Sequence, residues 1–255
     1  MTAQPEILPP VTDPAILGEL DALARRHNGA AGLGMQLLTY VGGSAETLMA
    51  KLPAPVRDGL EGATARALET AFGAAERSRG LVADRGDWVN RALTTAMGAA
   101  GGFGGLPGAL AELPFTVTML LRAIQGIAAE HGFDPANDAV RLDCLRVFAA
   151  AGPLTRDDGT DMGFLAAKVT ITGASLHGLI ARVAPRLAAV MGQKLAAQTA
   201  PVLGAVAGAA INYTFTSYYQ DIARVHFGLK RLARDSALDE GLLREELVAR
   251  ITAKV

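Results

Sequence analysis

The chain has 255 residues, and its 24 Lys and Arg against 25 Asp and Glu give a formal net charge of -1, which removes the bulk electrostatic drive toward nucleic acid that clustered cations supply. One cysteine excludes an intrachain disulfide framework and a multi-thiolate zinc site, and fits a reducing, cytoplasmic setting. Half of the residues are hydrophobic but only 5% are aromatic, so the core material is Ala, Leu, Val and Gly, which suits packed helices better than strands.

Residues 1–12 carry Pro5, Pro9 and Pro10 without periodicity and are expected to form a flexible lead-in to one helical domain over 13–255. No positive charge precedes an apolar run here, so the start does not read as a secretory signal. Asp13 followed by Pro14 is an N-cap with proline at the first helical position, opening a helix to about His27 that Asn28 and Gly29 should stop. Residues 30–51 read as a Gly-interrupted apolar helix. Pro53 and Pro55 separate it from a longer, charged one over 56–79, and Asp87 caps another over 88–100.

Pro107 and Pro114 each fit a first helical turn, so 106–131 is either one kinked helix or a short helix feeding a long one, the kinked form being preferred. Helices are further expected at 136–151, 161–197, 199–234 and 238–252, with a polar loop at 155–159 and kinks or restarts at Pro185 and Pro201. No alternation of period two and no fixed repeat appears. The expected fold is all-α, a single domain of about nine or ten helices with Gly- and Ala-rich helices at its centre.

Two stretches lack charge: 195–220 carries no charged side chain, and 92–121 carries only Glu112. Both exceed the roughly 20 residues needed to cross a bilayer as a helix. Glycines and Pro107 break one, and Asn212 with several hydroxyl side chains interrupts the other, so both are expected to be core helices or helices that engage a membrane surface, in preference to spans.

The glycine cluster Gly101, Gly102, Gly104, Gly105 and Gly108 lacks the Gly-Lys-Ser/Thr ending of a phosphate-binding loop and follows no strand, so it reads as a turn, a close helix crossing or a hinge together with Pro107 and Pro114. Gly204 and Gly208, four residues apart, leave one helix face smooth enough for close packing. Glu112 stands among apolar residues, where an unpaired carboxylate is costly. It therefore caps the helix that Pro114 opens, pairs with Arg91 or Arg122, or serves a site. His131, His177 and His226 have no second ligand at helical spacing, so no metal site is read, and no cofactor motif is found. Cys144 reads as a small buried hydrophobe. Arg224, Lys230, Arg231 and Arg234, followed by Asp235, Asp239 and Glu240, form a mixed-charge tract whose basic part suits anionic headgroups.

The Leu-Pro-Gly and Glu-Leu-Pro elements around Pro107 and Pro114, the run Met119-Leu120-Leu121-Arg122-Ala123-Ile124 and the helix end at Arg146-Val147-Phe148 resemble the EcsC protein family. A weaker second block runs from Pro201 to Asn212, and the likeness spans about 29–235. The resemblance implies a helical fold and a setting beside a membrane transporter. It implies no reaction and carries over no catalytic residues. The expected function is a non-enzymatic accessory or interaction protein at the cytoplasmic membrane face, with a membrane surface or a membrane protein complex as partner. Two alternatives stay open: a hydrolase-type enzyme drawing on Glu112, His131, Asn212 and Asp221 in an inter-helix cleft, and a helical module that binds a lipid or other apolar ligand.

Overall fold

The computed structural model describes residues 11–32, 34, 36, 45–79, 105–148, 150, 152–153, 176–198 and 204–253. In chain order the helices are α1 (Pro14–Ala30), α2 (Ala45–Ala50), α3 (Ala54–Arg79), α4 (Gly105–Glu130), α5 (Asp138–Val147), α6 (Leu176–Gln198), α7 (Gly204–Ser236) and α8 (Glu240–Thr252). No strand occurs among the described residues, and the fold is all-α as expected. The expectation of nine or ten helices, with Gly- and Ala-rich ones central, takes in the helix at 88–100 and residues 199–203, which lie outside the described residues.

The boundaries follow local chemistry. Asp13 accepts the Ala15 N–H at 2.8 Å, Asn137 the Ala139 N–H at 2.9 Å and Asp239 the Leu242 N–H at 3.0 Å, so three helices begin on side-chain caps that satisfy otherwise orphaned donors. Helix α1 runs through Asn28 and Gly29 to Ala30, one turn past the expected stop. Helix α4 continues through Pro114 as one element, the preferred of the two readings. Proline removes one backbone donor there, and the Thr118 hydroxyl donates to the Pro114 carbonyl at 2.7 Å. Pro185 likewise lies inside α6. Pro201 lies outside the described residues.

Helix α3 packs most extensively on α4 and α6, and α1 on α7 and α8; α4 and α7 lie against each other and join the two groups. The 33 residues of α7 extend over roughly 50 Å and touch α1, α4, α5, α6 and α8. It buries Ile211, Phe215, Tyr218, Tyr219 and Ile222, which belong to the same core cluster as the buried Val117, Leu120, Leu121 and Ile124 of α4. Each such side chain contributes roughly 2 kcal/mol of transfer free energy. Of the stripe expected at Leu203, Ala207, Ile211 and Phe215, the last two are buried; Leu203 and the side chain of Ala207 lie outside the description.

One carboxylate sits inside this apolar frame. Asp143 of α5 is almost fully buried, with Lys230 Nζ 2.8 Å from one oxygen, and Arg146 Nη1 at 2.7 Å and His226 Nε2 at 3.5 Å from the other. Burial alone would raise its pKa, but the neighbouring His226 ring and the Lys230 ammonium outweigh that and hold the carboxyl well below the usual carboxylate range. Lys230, expected to face outward with the basic tract, is drawn inward to this group and toward Glu240 at 3.8 Å.

The end of α4 is fixed by a left-handed glycine. Gly132 has φ of 79°, the Phe133 N–H donates to the Ala128 carbonyl at 3.0 Å and the Gly132 N–H to that of Ala129 at 2.9 Å, the double bond pattern of a Schellman cap. Phe133 then packs on Phe227 with ring centroids 5.7 Å apart, and Arg234 Nη1 lies 3.4 Å from the carbonyls of both His131 and Gly132. The cap thereby sets where His131 stands.

Two outcomes are expected. Replacing Gly132 with Ala forces a Cβ into the left-handed region and to 3.2 Å from Arg234, and should cost about 1 kcal/mol, seen as a melting temperature lowered by roughly 2 to 4 °C. Asp143→Asn leaves Lys230 and His226 facing a neutral group in the interior and should cost about 3 kcal/mol at pH 7. Because the folded-state pKa of Asp143 lies below the unfolded one, the carboxylate's contribution is complete above that unfolded value and is lost as pH falls below about 4. Denaturant unfolding at pH 7 and pH 3 should therefore show the variant's deficit shrinking in acid; an equal deficit at both would contradict the assignment.

Candidate functional site

Helices α1 and α7 run side by side and present matching rows at the helical spacing of three, four and seven residues: Glu19, Leu23 and Arg26 on one, Arg224, Gly228 and Arg231 on the other. Between them lies a cleft of about 230 Å³, whose lining also includes His131. Gly228 lets the helices come this close, because a Cβ there would meet Leu23 Cδ2 at 2.8 Å.

The polar groups of the cleft are tied to one another across the two helices. Arg26 Nη1 donates to Asp221 Oδ1 at 2.7 Å, and Arg224 Nη1 lies 3.6 Å from the same oxygen, so two guanidinium groups share one carboxylate. Arg231 Nη2 donates to Glu19 Oε2 at 2.9 Å. Burial, then repulsion from Arg26, lowers the Arg224 pKa from its ordinary value, though a guanidinium stays charged at any physiological pH. Among the described residues, three arginines line the cleft with Glu19, and Asp221 lies beside it.

His131 is shifted toward its neutral form here. Burial is the main cause that lowers its pKa, and the charges of Arg231, Arg26 and Arg234 add to it, against a backbone hydrogen bond that acts the other way. That bond, from Nδ1 to the Ile127 carbonyl at 2.8 Å, requires Nδ1 to carry the proton. The lone pair is then on Nε2, beside Gly228 on the cleft wall: the Cβ that Gly228 lacks would lie 3.9 Å from it.

Of the four residues singled out from the sequence, the structure gathers two around Arg26, namely Asp221 by a hydrogen bond and His131 by charge. Asn212 is buried in α7, nine residues and roughly 13 Å along the helix from Asp221. Glu112 is eight residues into α4, so it does not cap a helix that starts at Pro114, and its side chain lies outside the description. The side chains at Pro107 and the packing at Gly105, Gly108, Gly204 and Gly208 also lie outside it, as do Gly101, Gly102 and Gly104 altogether.

Arg26 and Glu19 were not among the residues singled out, since α1 alone reads as an ordinary amphipathic helix. Asp143 was missed too, although Val140, Asp143, Cys144 and Val147 share one face at helical spacing, and a carboxylate on an otherwise apolar stripe is a legible sign of a buried ion pair. Cys144 is buried and in no disulfide, as expected of a small hydrophobe.

A second cleft of about 270 Å³ lies between α3 and α4, lined by Ala63, Ala67, Leu113 and Pro114 with Arg66 and Thr70. The Thr70 hydroxyl donates to the Arg66 carbonyl at 2.8 Å, which leaves the Arg66 guanidinium as its polar handle. Among the described residues, no group of three His, Cys, Asp or Glu is placed to hold a metal ion, and no helix is long and apolar enough to cross a membrane.

No curated protein and no solved structure matches the chain. The model of the EcsC protein family matches residues 75–232, which takes in α4, α5, α6 and most of α7 with Arg224, Gly228 and Arg231. The chain belongs to the EcsC protein family.

Proposed function

We propose that this chain is a non-enzymatic accessory protein working at the cytoplasmic face of a membrane, with the surface formed by α1 and the C-terminal half of α7 as the face that meets anionic headgroups. The observation that carries this reading is the set of arginines on that surface. Arg26, Arg231 and Arg234 are each between 42% and 48% exposed, come from two packed helices and flank a cleft that holds Arg224. Lys and Arg side chains near an anionic leaflet contribute about 1 kcal/mol each.

Surface attachment also fits the chain better than insertion. The uncharged stretch at 195–220 includes Asn212, Thr214, Thr216, Ser217 and Gln220, all buried within the helical domain, and bringing them to hydrocarbon would expose polar groups to a medium that cannot satisfy them. The resemblance to proteins encoded beside a membrane transporter points to the same setting.

Vesicle co-sedimentation tests the proposal. The protein should bind vesicles containing anionic lipid more strongly than neutral ones, and raising the salt from 50 to 500 mM, roughly a threefold shortening of the screening length, should release it. Replacing Arg231 and Arg234 together by Gln should weaken binding about tenfold, less than two free charges would give because Glu19 and Asp235 already offset part of each. Equal binding to neutral and anionic vesicles, or none to either, would overturn it.

A further inference from the structure

The cleft between α1 and α7 is more selective in its chemistry than a basic surface needs to be. We propose that it is a binding site for a phosphate monoester, whose oxygens are taken by the guanidinium groups of Arg26, Arg224 and Arg231 while His131 Nε2 shares the proton of the phosphate's own hydroxyl. This deepens the membrane-surface reading, and it rests on that reading where the monoester is a lipid headgroup.

Three features carry the assignment. The first is charge: Arg26 and Arg224 share Asp221, and Arg231 is held by Glu19, so among the described residues two carboxylates position three guanidinium groups in fixed directions. A monoester that keeps its P–OH brings one negative charge and two further acceptor oxygens, and the planar donor forks of arginine match that geometry better than a lysine does. The second is the imidazole. With Nδ1 donating to the Ile127 carbonyl at 2.8 Å, the cleft is offered an acceptor, which a bare anion would meet unfavourably but a P–OH group satisfies. Sulfate and phosphate diesters carry no such proton near neutral pH. The third is space: the missing Cβ at Gly228 leaves open the ground between Leu23 and His131, and about 230 Å³ admits a phosphate with a short polyol attached.

The full chain would be titrated with glycerol 3-phosphate and with sulfate at equal ionic strength, following the His131 ring signals by nuclear magnetic resonance and the affinity by calorimetry. Glycerol 3-phosphate should shift His131 saturably and bind at least tenfold more tightly than sulfate. Arg26→Gln should weaken it about tenfold, Arg26→Lys less, and His131→Gln should bring phosphate affinity down to that for sulfate. Thermal melts of each variant confirm folding, and the phosphate-to-sulfate ratio of the parent stands whether or not a variant folds.

Flotation with phosphatidylcholine vesicles containing either phosphatidic acid, a monoester, or phosphatidylglycerol, a diester, distinguishes the sources. Preference for phosphatidic acid supports a lipid ligand. Glycerol 3-phosphate binding without attachment to either vesicle supports the site and overturns the membrane reading. Equal attachment to both vesicles, with phosphate and sulfate bound alike and His131 unmoved, overturns the site and leaves the membrane reading intact.

Discussion

Gly228 allows Leu23 of α1 to rest directly on the backbone of α7, and that close approach brings arginines from two distant parts of the chain to one cleft. Like charges repel, so the arrangement needs an opposing force. Part of it is the apolar packing of α1 and α8 around α7, including Leu20, Ala24, Leu243, Leu247 and Ile251, all buried. The rest is supplied by Asp221 and Glu19, which tie Arg26 to α7 and Arg231 to α1. Exposed ion pairs of this kind contribute little to stability, typically below about 1 kcal/mol. Their effect is positional: they hold the guanidinium groups in fixed directions in advance of any ligand, and so reduce the ordering cost of binding.

The two charged clusters of α7 have different tasks. Around Asp143 the carboxylate itself is enclosed, every partner comes from a helix of the same core, and His226 and Lys230 beside it favour its ionised form. Such a group adds less net stability than an apolar replacement could, but removing either side is costly, which fixes the register of α5 against α7. One helical turn away the side chains point outward to α1 and to solvent. Lys230 and Arg231 are consecutive, yet the first turns to Asp143 and the second to Glu19, as the 100° step of a helix requires.

Much of the fold was legible because its signals are local. The cap at Asp13, the glycine that ends α4 and the period of four in α7 each act within a few residues, whereas the cap at Asp239 was read only as part of a charged tract. The site was legible only in part. His131 could be placed at a helix end from Gly132, and Asp221 was one of the polar groups expected in an inter-helix cleft. Their meeting point could not be found, because Arg26 and Asp221 are 195 residues apart and neither carries a mark of the other. The basic tract likewise could not be divided into inward and outward members before the position of α5 was known. Glu112 illustrates the opposite difficulty: capping a helix opened by Pro114 was one of the roles its sequence neighbours allowed, and the continuous helix from Gly105, the preferred reading of the segment, removes it.

Hydrogen–deuterium exchange of the full chain, with and without vesicles containing phosphatidic acid, tests the central claim most directly, since it reports which backbone segments the membrane covers. The expected result is added protection in α1 around residues 19–26, in the segment 131–134 after α4 and in α7 around 224–234, with α3 and α6 unchanged. Protection confined to α3, α4 and α6, or loss of protection along the uncharged half of α7 as it leaves the core, would contradict it.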